Sequence, residues 1–326
     1  MLHVAVRERV AERPVFTLRG ETFSWADVVA AARVDGAWEE LESLVRAGLA
    51  CRRRLAASGE QLPADDVVAA TTRFRYARNL LAGEELTQWL DHWGLDVSQW
   101  REYVTRALLR ERSAGELADT LDRYPVSDEE VAGAIWAEAV CSGFLARYAQ
   151  RVAADCALAV AAGERIDAWP EILGRIRAAA DRVRLDAATD DAVAREVAQH
   201  RLEWLRVDGE TLDAASEDVA REAALCVRDD GRELGDVAAD AGLEARPLQA
   251  YVEDLGADLS AALVAAREGE LVGPIPQEDG FALIRVERKT PPDAADAEVR
   301  RRAEERIVAR LEERAVVEHV EWHERL

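Results

Sequence analysis

The residues able to do acid–base, nucleophilic or metal chemistry are five histidines, four cysteines and 64 carboxylates. His319 and His323 stand four apart, a spacing that puts two imidazoles on one helix face within reach of one metal ion. The run His319-Val320-Glu321-Trp322-His323 is not the HExxH pattern and offers no third ligand, so it reads as a fraying helix end and no metal is expected. His92, beside Trp93, is expected at a helix C-terminus, where positive charge is favourable, rather than in catalysis. Cys51, Cys141, Cys156 and Cys226 lie far apart, each within an apolar helical pattern, and show neither CxxC nor Cys–His spacing. They are expected to be small buried side chains in a reducing compartment. The sequence contains no Gly-rich phosphate loop and no GxSxG. No carboxylate pair can be singled out among so many for general acid–base work. The expectation is no catalytic residue and no cofactor.

Nine tryptophans carry more information. Trp89, Trp93 and Trp100 cluster around one turn, with Trp25 and Trp38 earlier in the same region. They either pack small helices together or line a groove for an extended peptide. Arg73, Arg75 and Arg78 either meet an acidic peptide segment or pair with local Glu and Asp.

These residues need a scaffold, and the composition is that of a folded one: 326 residues, 49% apolar and 33% charged. Lys and Arg total 42, giving a formal charge of −22. Nucleic-acid and anionic-membrane partners are excluded, since both need clustered basic charge. Neutral or basic peptides remain open. The N-terminal residues show no basic n-region followed by an apolar h-region, and no apolar run approaches a membrane span, so the expected location is the cytoplasm.

The elements are punctuated clearly. Val15 to Phe23 reads as a hairpin turning at Arg19-Gly20, and Ser24 with Asp27 caps the next helix. Helices are expected at about 37–58, 64–81, 84–92 and 98–121, with stops at Gly59, Gly83 and Gly94. The short loops predict antiparallel packing. A long central helix is expected over about 128–163, opened by a Ser127/Glu130 capping box. Its apolar residues, Trp136, Val140, Phe144, Tyr148 and Val152 among them, recur every four positions and so drift around the cylinder. Further helices are expected after Pro170 and from Thr189. Arg201–Val207 and Phe281–Glu287 read as strands, with helices near 213–228, 232–241 and 257–266 between them. A last helix, about 294–323, carries Val299, Ala303, Ile307, Leu311 and Ala315 on one side. Its expected partner is the N-terminal helical region, which brings the chain ends together.

Gly269-Glu270-Leu271-Val272-Gly273-Pro274-Ile275, followed by Gly280-Phe281-Ala282-Leu283-Ile284-Arg285-Val286, resembles the end of a parvulin (PpiC-type) peptidyl-prolyl isomerase domain. Gly231-Arg232-Glu233-Leu234-Gly235-Asp236-Val237-Ala238 is similar to an upstream helix of that family. Residues 15–122 resemble the helical N-terminal domain of SurA-type chaperones: a hairpin, Ser24-Trp25-Ala26-Asp27, then Gly94-Leu95-Asp96-Val97-Ser98-Gln99-Trp100. Arg73–Leu81, running into Trp89-Leu90 and Gly94-Leu95, is similar to PpiC-related proteins of ribosomal natural-product peptide maturation. The resemblance implies a mainly α fold: a SurA-like helical domain (1–199), a degenerate parvulin-like α/β domain (200–290) and a C-terminal helix (291–326) returning to the helical domain.

The departures concern the site. Active parvulins carry a His where Ala282 stands; a Thr usually stands where Gln277 is, and the proline-pocket Phe corresponds to Leu259. His200 lies at the edge of the first strand, with Glu203 or Trp204 taking its place in another register, and the family's strand between about 243 and 256 is not evident. Amide rotation has a barrier of about 18–20 kcal/mol, which these enzymes lower by gripping proline in a shaped pocket. The resemblance therefore implies a peptide-binding chaperone or scaffold for a precursor peptide, alone or with other maturation enzymes, with little or no isomerase activity. Its peptide contacts would be Trp204, Leu259, Gln277, Phe281 and Ala282. A residual isomerase or peptide-modifying enzyme, and a structural subunit of a larger enzyme, are the alternatives.

Overall fold

The structure is a computed structural model and describes residues 9–325. It is mainly α, with a small α/β unit built on one antiparallel sheet. The chain forms two compact units. One comprises residues up to Val183 together with Glu312 onward; the other is Arg184–Leu311.

The first unit opens with the hairpin β1 (Pro14–Leu18) and β2 (Glu21–Ser24). Arg19 and Gly20 both adopt left-handed backbone, at φ 50° and 87°, as a tight two-residue hairpin turn requires. Helix α1 (Trp25–Val34) follows, its end closed by reciprocal hydrogen bonds between Ser24 and Asp27. Then come α2 (Ala37–Ser58), α3 (Ala64–Tyr76), α4 (Gly83–His92) and α5 (Val97–Arg112). Helix α3 stops five residues before the expected 81 because Asn79 turns left-handed (φ 54°), and Leu80 N–H donates back to the Arg75 carbonyl at 2.9 Å. The helix expected over 98–121 breaks at Ser113. A single 3₁₀ turn containing Gly115, a poor helix former, leads into α6 (Leu117–Arg123).

The expected central helix is two helices, α7 (Asp128–Cys141) and α8 (Phe144–Ala161). Gly143 sits between them at φ 74° and ends the first rod. The drifting stripe is thus resolved by a change of axis. The capping box of Ser127 and Glu130 is present. Helix α9 (Leu173–Ala187) completes the helical series that precedes α10 (Asp190–Gln199), which is capped by Thr189.

In the second unit, residues 201–204 form turns rather than a strand, with Trp204 N–H on the His200 carbonyl at 2.9 Å. Strand β3 begins at Arg206 and runs to Ala214. It is followed by α11 (Glu217–Arg228), α12 (Leu234–Asp240), β4 (Ala245–Tyr251), α13 (Ala257–Ala265), β5 (Leu271–Gln277) and β6 (Gly280–Thr290). The sheet order is β4-β3-β6-β5, antiparallel throughout. Phe281 and Leu283 of β6 pack with Ala220, Ala224, Leu234 and Val237 of α11 and α12. Ile284 and Val286 pack on the opposite face against Leu259 and Leu263 of α13. That alternation is the strand period of two.

Helix α14 spans Ala297–His319, shorter at both ends than 294–323. Val299 and Ala303 bury against Val193, Val197 and Trp204. Beyond His319 the chain becomes β7 (Val320–Trp322), which pairs with β1 through Phe16↔Trp322 and Leu18↔Val320. The chain's C-terminal end therefore meets the N-terminal hairpin through a strand. The rings of Phe16 and Trp322 make edge contact at 5.5 Å.

Candidate functional site

Ala282 is 4% exposed in β6, flanked by Asp213 on β3 and Ile275 on β5. Leu259 faces the same side of the sheet, packed with Leu263, Ile275 and Ile284. Gln277 pairs with Gly280 at the open end of β5. With Phe281, Asp213, Glu278 and Asp279 it lines a shallow cavity of about 280 Å³. Trp204 is apart from the other four: it is fully buried among Val193, Val197, Val299 and Ala303, with the Arg306 guanidinium 5.4 Å from its ring. The sheet therefore brings Gln277 and Phe281 together, turns Ala282 to the opposite face with Leu259, and leaves Trp204 in the core beside α14.

His200 is held away from the sheet. Its Nε2 lies 3.1 Å from Glu196 and its Nδ1 3.0 Å from Glu203 and 2.9 Å from Arg306. The same ladder fixes Glu196, 3% exposed, through a bond from Arg310 Nη1 at 2.7 Å. That hydrogen bond holds the Glu196 carboxyl below the ordinary range, against the penalty of burial. Arg302 lies 4.3 Å over the Tyr251 ring while bonding Glu253, Asp254 and Glu298. Each charged group here is spent on joining α14 to its own unit.

The other candidates are accounted for similarly. His323 Nε2 lies 2.7 Å from Thr17 Oγ1, and its N–H donates to the Val15 carbonyl at 2.9 Å. Because α14 ends at His319, the two histidines do not share a helix face. Among the described residues no group of three His, Cys, Asp or Glu is placed to hold a metal. His92 is the last residue of α4 and lies 2.9 Å from Glu324. Burial pushes the Cys141 thiol up to about 12, so it is no thiolate nucleophile at neutral pH. Arg75 donates to the Leu80 carbonyl at 2.9 Å, and Arg78 stacks 3.9 Å from the Phe74 ring and donates to the Cys141 carbonyl. Trp25, Trp93 and Trp100 are buried, with Trp25 and Trp93 in ring contact at 5.0 Å. They pack the helices.

Trp38 and Trp136 do something else. Together with Val29 and Ile135 they line an open groove of about 430 Å³ between α1, α2 and α7. Its width comes from small residues: Ala26 and Ala30 one turn apart on α1, and Ala132 one turn before Trp136 on α7. Trp136 Nε1 donates to the Trp93 carbonyl at 2.9 Å, which fixes that indole as a wall. Arg33 and Glu42 stand in the lining as its two charges, with the Arg33 guanidinium 5.6 Å from the Trp38 ring. A concave, mostly apolar surface with a few polar groups is the general form of a ligand site. Trp38 was visible in the sequence as a candidate aromatic wall, but Val29, Ile135 and Trp136 were not separable from core positions. The one available signal was Ala26, Ala30 and Ala132 at helical spacing beside large apolar residues.

No protein-family model and no curated protein matches the sequence. Among solved structures, the PrsA peptidylprolyl isomerase of Bacillus anthracis shares 11% identity over 71% of this chain and 92% of its own, at a TM-score of 0.32. The PrsA foldase of Lactococcus lactis shares 11% over 96% of each chain, also at 0.32. A SurA-like chaperone of Campylobacter jejuni shares 9% over 96% of this chain and 100% of its own, at 0.21. These likenesses are slight.

Proposed function

We propose that this chain is a cytoplasmic peptide-binding chaperone or scaffold that assists maturation of a ribosomally made precursor peptide, with little or no proline isomerase activity. The observation that carries the reading is the Trp38–Trp136 groove, which offers an apolar segment about 430 Å³ of concave surface. An unpaired apolar concavity favours ligands that bury side chains, at about 25 cal/mol per Å² of apolar area removed from water. The sheet of the second unit supports the lack of isomerase chemistry. A buried alanine stands where the parvulin pattern carries histidine, and Leu259 replaces the aromatic wall. Gln277 and Phe281 remain a secondary peptide contact at the open end of β5 and β6. The precursor-peptide role rests on the similarity of Arg73–Leu81 to maturation-system proteins.

The test is fluorescence anisotropy of labelled apolar hexapeptides with the full chain, alongside a chymotrypsin-coupled proline isomerisation assay. Binding that is lost on filling the groove with Ala30→Trp, together with uncatalysed isomerisation rates, is the expected result. Robust isomerisation by the wild-type protein overturns the reading in favour of an isomerase with an unfamiliar site.

A further inference from the structure

Two groups that line the groove have no hydrogen-bond or ion-pair partner among the described residues. Arg33 is exposed on α1 and, among the described residues, its guanidinium contacts only the Trp38 ring, with no carboxylate in ion-pairing distance. That is notable on a chain with 64 acidic residues against 42 basic ones. The Trp38 indole N–H has no hydrogen-bond acceptor among the described residues, whereas that of Trp136 donates to the Trp93 carbonyl. Arg33 and Trp38, which carry these two donors, both line one mostly apolar cavity.

We propose that the groove captures the free C-terminal residue of a peptide. The large apolar side chain of that residue lies against Val29, Ile135 and Trp136, and its α-carboxylate accepts hydrogen bonds from Arg33 and Trp38 Nε1. This rests on the reading of the groove as a peptide site. Charge fixes the direction. Glu42, without an ion pair among the described residues, lies one helical turn beyond Trp38 and repels a carboxylate from its side of the groove. The ligand's negative end is thereby confined to Arg33, and its backbone N–H groups or a basic preceding residue fall toward Glu42. Size argues for a terminus. A cavity of about 430 Å³ has room for one or two large side chains, and a chain end needs only one exit. Capture of a terminal carboxylate by fixed donors is an established mode of peptide recognition.

The experiment uses the full chain and three N-terminally labelled hexapeptides of the same apolar sequence. One ends in a free Leu carboxylate, one in Leu amide, and one carries an internal Glu with an amidated end. The free acid is expected to bind about tenfold tighter than the amide, the effect of one charge-assisted hydrogen bond. Arg33→Gln should erase the difference and Arg33→Lys should restore part of it. Equal affinity of acid and amide, with both lost in Ala30→Trp, overturns the carboxylate assignment and leaves the peptide groove standing. Equal affinity of the free acid and internal-Glu peptides overturns the terminal assignment in favour of an acidic side chain. No binding of any of the three overturns the groove reading as well.

Discussion

Ala282 of β6 stands directly opposite Asp213 of β3, and Asp213 is ion-paired with Arg246 of β4 across the same sheet. Ala282 is a buried methyl group between two neighbouring strands.

A histidine introduced at position 282 should therefore not confer isomerase activity. Ala282→His forces an imidazole into a site closed by Ile275 and Asp213 and should cost about 1–3 kcal/mol. Urea unfolding of the variant checks the loss, and the coupled isomerisation assay should stay at the uncatalysed rate.

The sheet depends on close backbone contact at Gly209. A Cβ there would lie 2.1 Å from the Arg285 carbonyl oxygen of β6, so β3 and β6 could not stay in register. Gly209→Ala should destabilise by about 3 kcal/mol or more, seen as a lower urea midpoint.

In the helical unit, Glu138 is a buried carboxylate that accepts from Arg106 at 3.2 Å and from Arg110 at 2.6 Å. Gly48 leaves the room: a Cβ there would sit 2.9 Å from both Arg106 Cβ and Arg110 Nη1. Glu138→Ala leaves the Arg106 guanidinium, 1% exposed, without its carboxylate, while Arg110 keeps the Leu44 carbonyl, and should cost about 3–5 kcal/mol in the same assay.

Acid should weaken the ion pairs of α14. Hydrogen bonds from Arg301 and Arg302 hold the Glu298 carboxyl at about 2, below its ordinary 4.5, and Glu196 is lowered by its bond from Arg310. A carboxylate depressed in the folded state stabilises it fully above the unfolded value and ceases to do so as pH falls through the folded one. The contribution is therefore intact above about pH 4.5 and fades toward pH 2. Asp35 acts in the opposite direction, since burial raises its carboxyl despite the Arg177 pair. Thermal melts between pH 6 and 2.5 should show a falling Tm, with a shallower fall in Glu298→Gln.

The thiols should separate by access. Cys51, Cys141 and Cys156 are buried, while Cys226 is half-buried on α11. A thiol reagent under native conditions should label Cys226 first and the other three only on unfolding.

Local signals carried much of this architecture. The two capping boxes, the Arg19-Gly20 turn and the glycine stops set helix starts and the hairpin from neighbouring residues alone. What was illegible depends on distant partners. Gly143 was hidden inside an unbroken apolar stripe, and α7 and α8 were read as one rod. Ala245–Tyr251 escaped because an edge strand containing Pro247 and Arg246 lacks apolar alternation, and only its pairing with β3 defines it. Val320–Trp322 became a strand because Phe16 offers it an edge and an aromatic contact. At the site, Ala282 and Leu259 were legible as departures from a pattern. The burial of Trp204 was not, since it follows from where α14 packs.

Hydrogen exchange of the full chain, with and without a saturating apolar peptide, tests the central claim most directly. The account predicts added protection mainly in Trp25–Glu42 and Asp128–Cys141, around the Trp38–Trp136 groove, a smaller effect at the Gln277–Phe281 end of β5 and β6, and little change in α13. Protection confined to Leu259–Val286 would contradict it and place the peptide on the sheet.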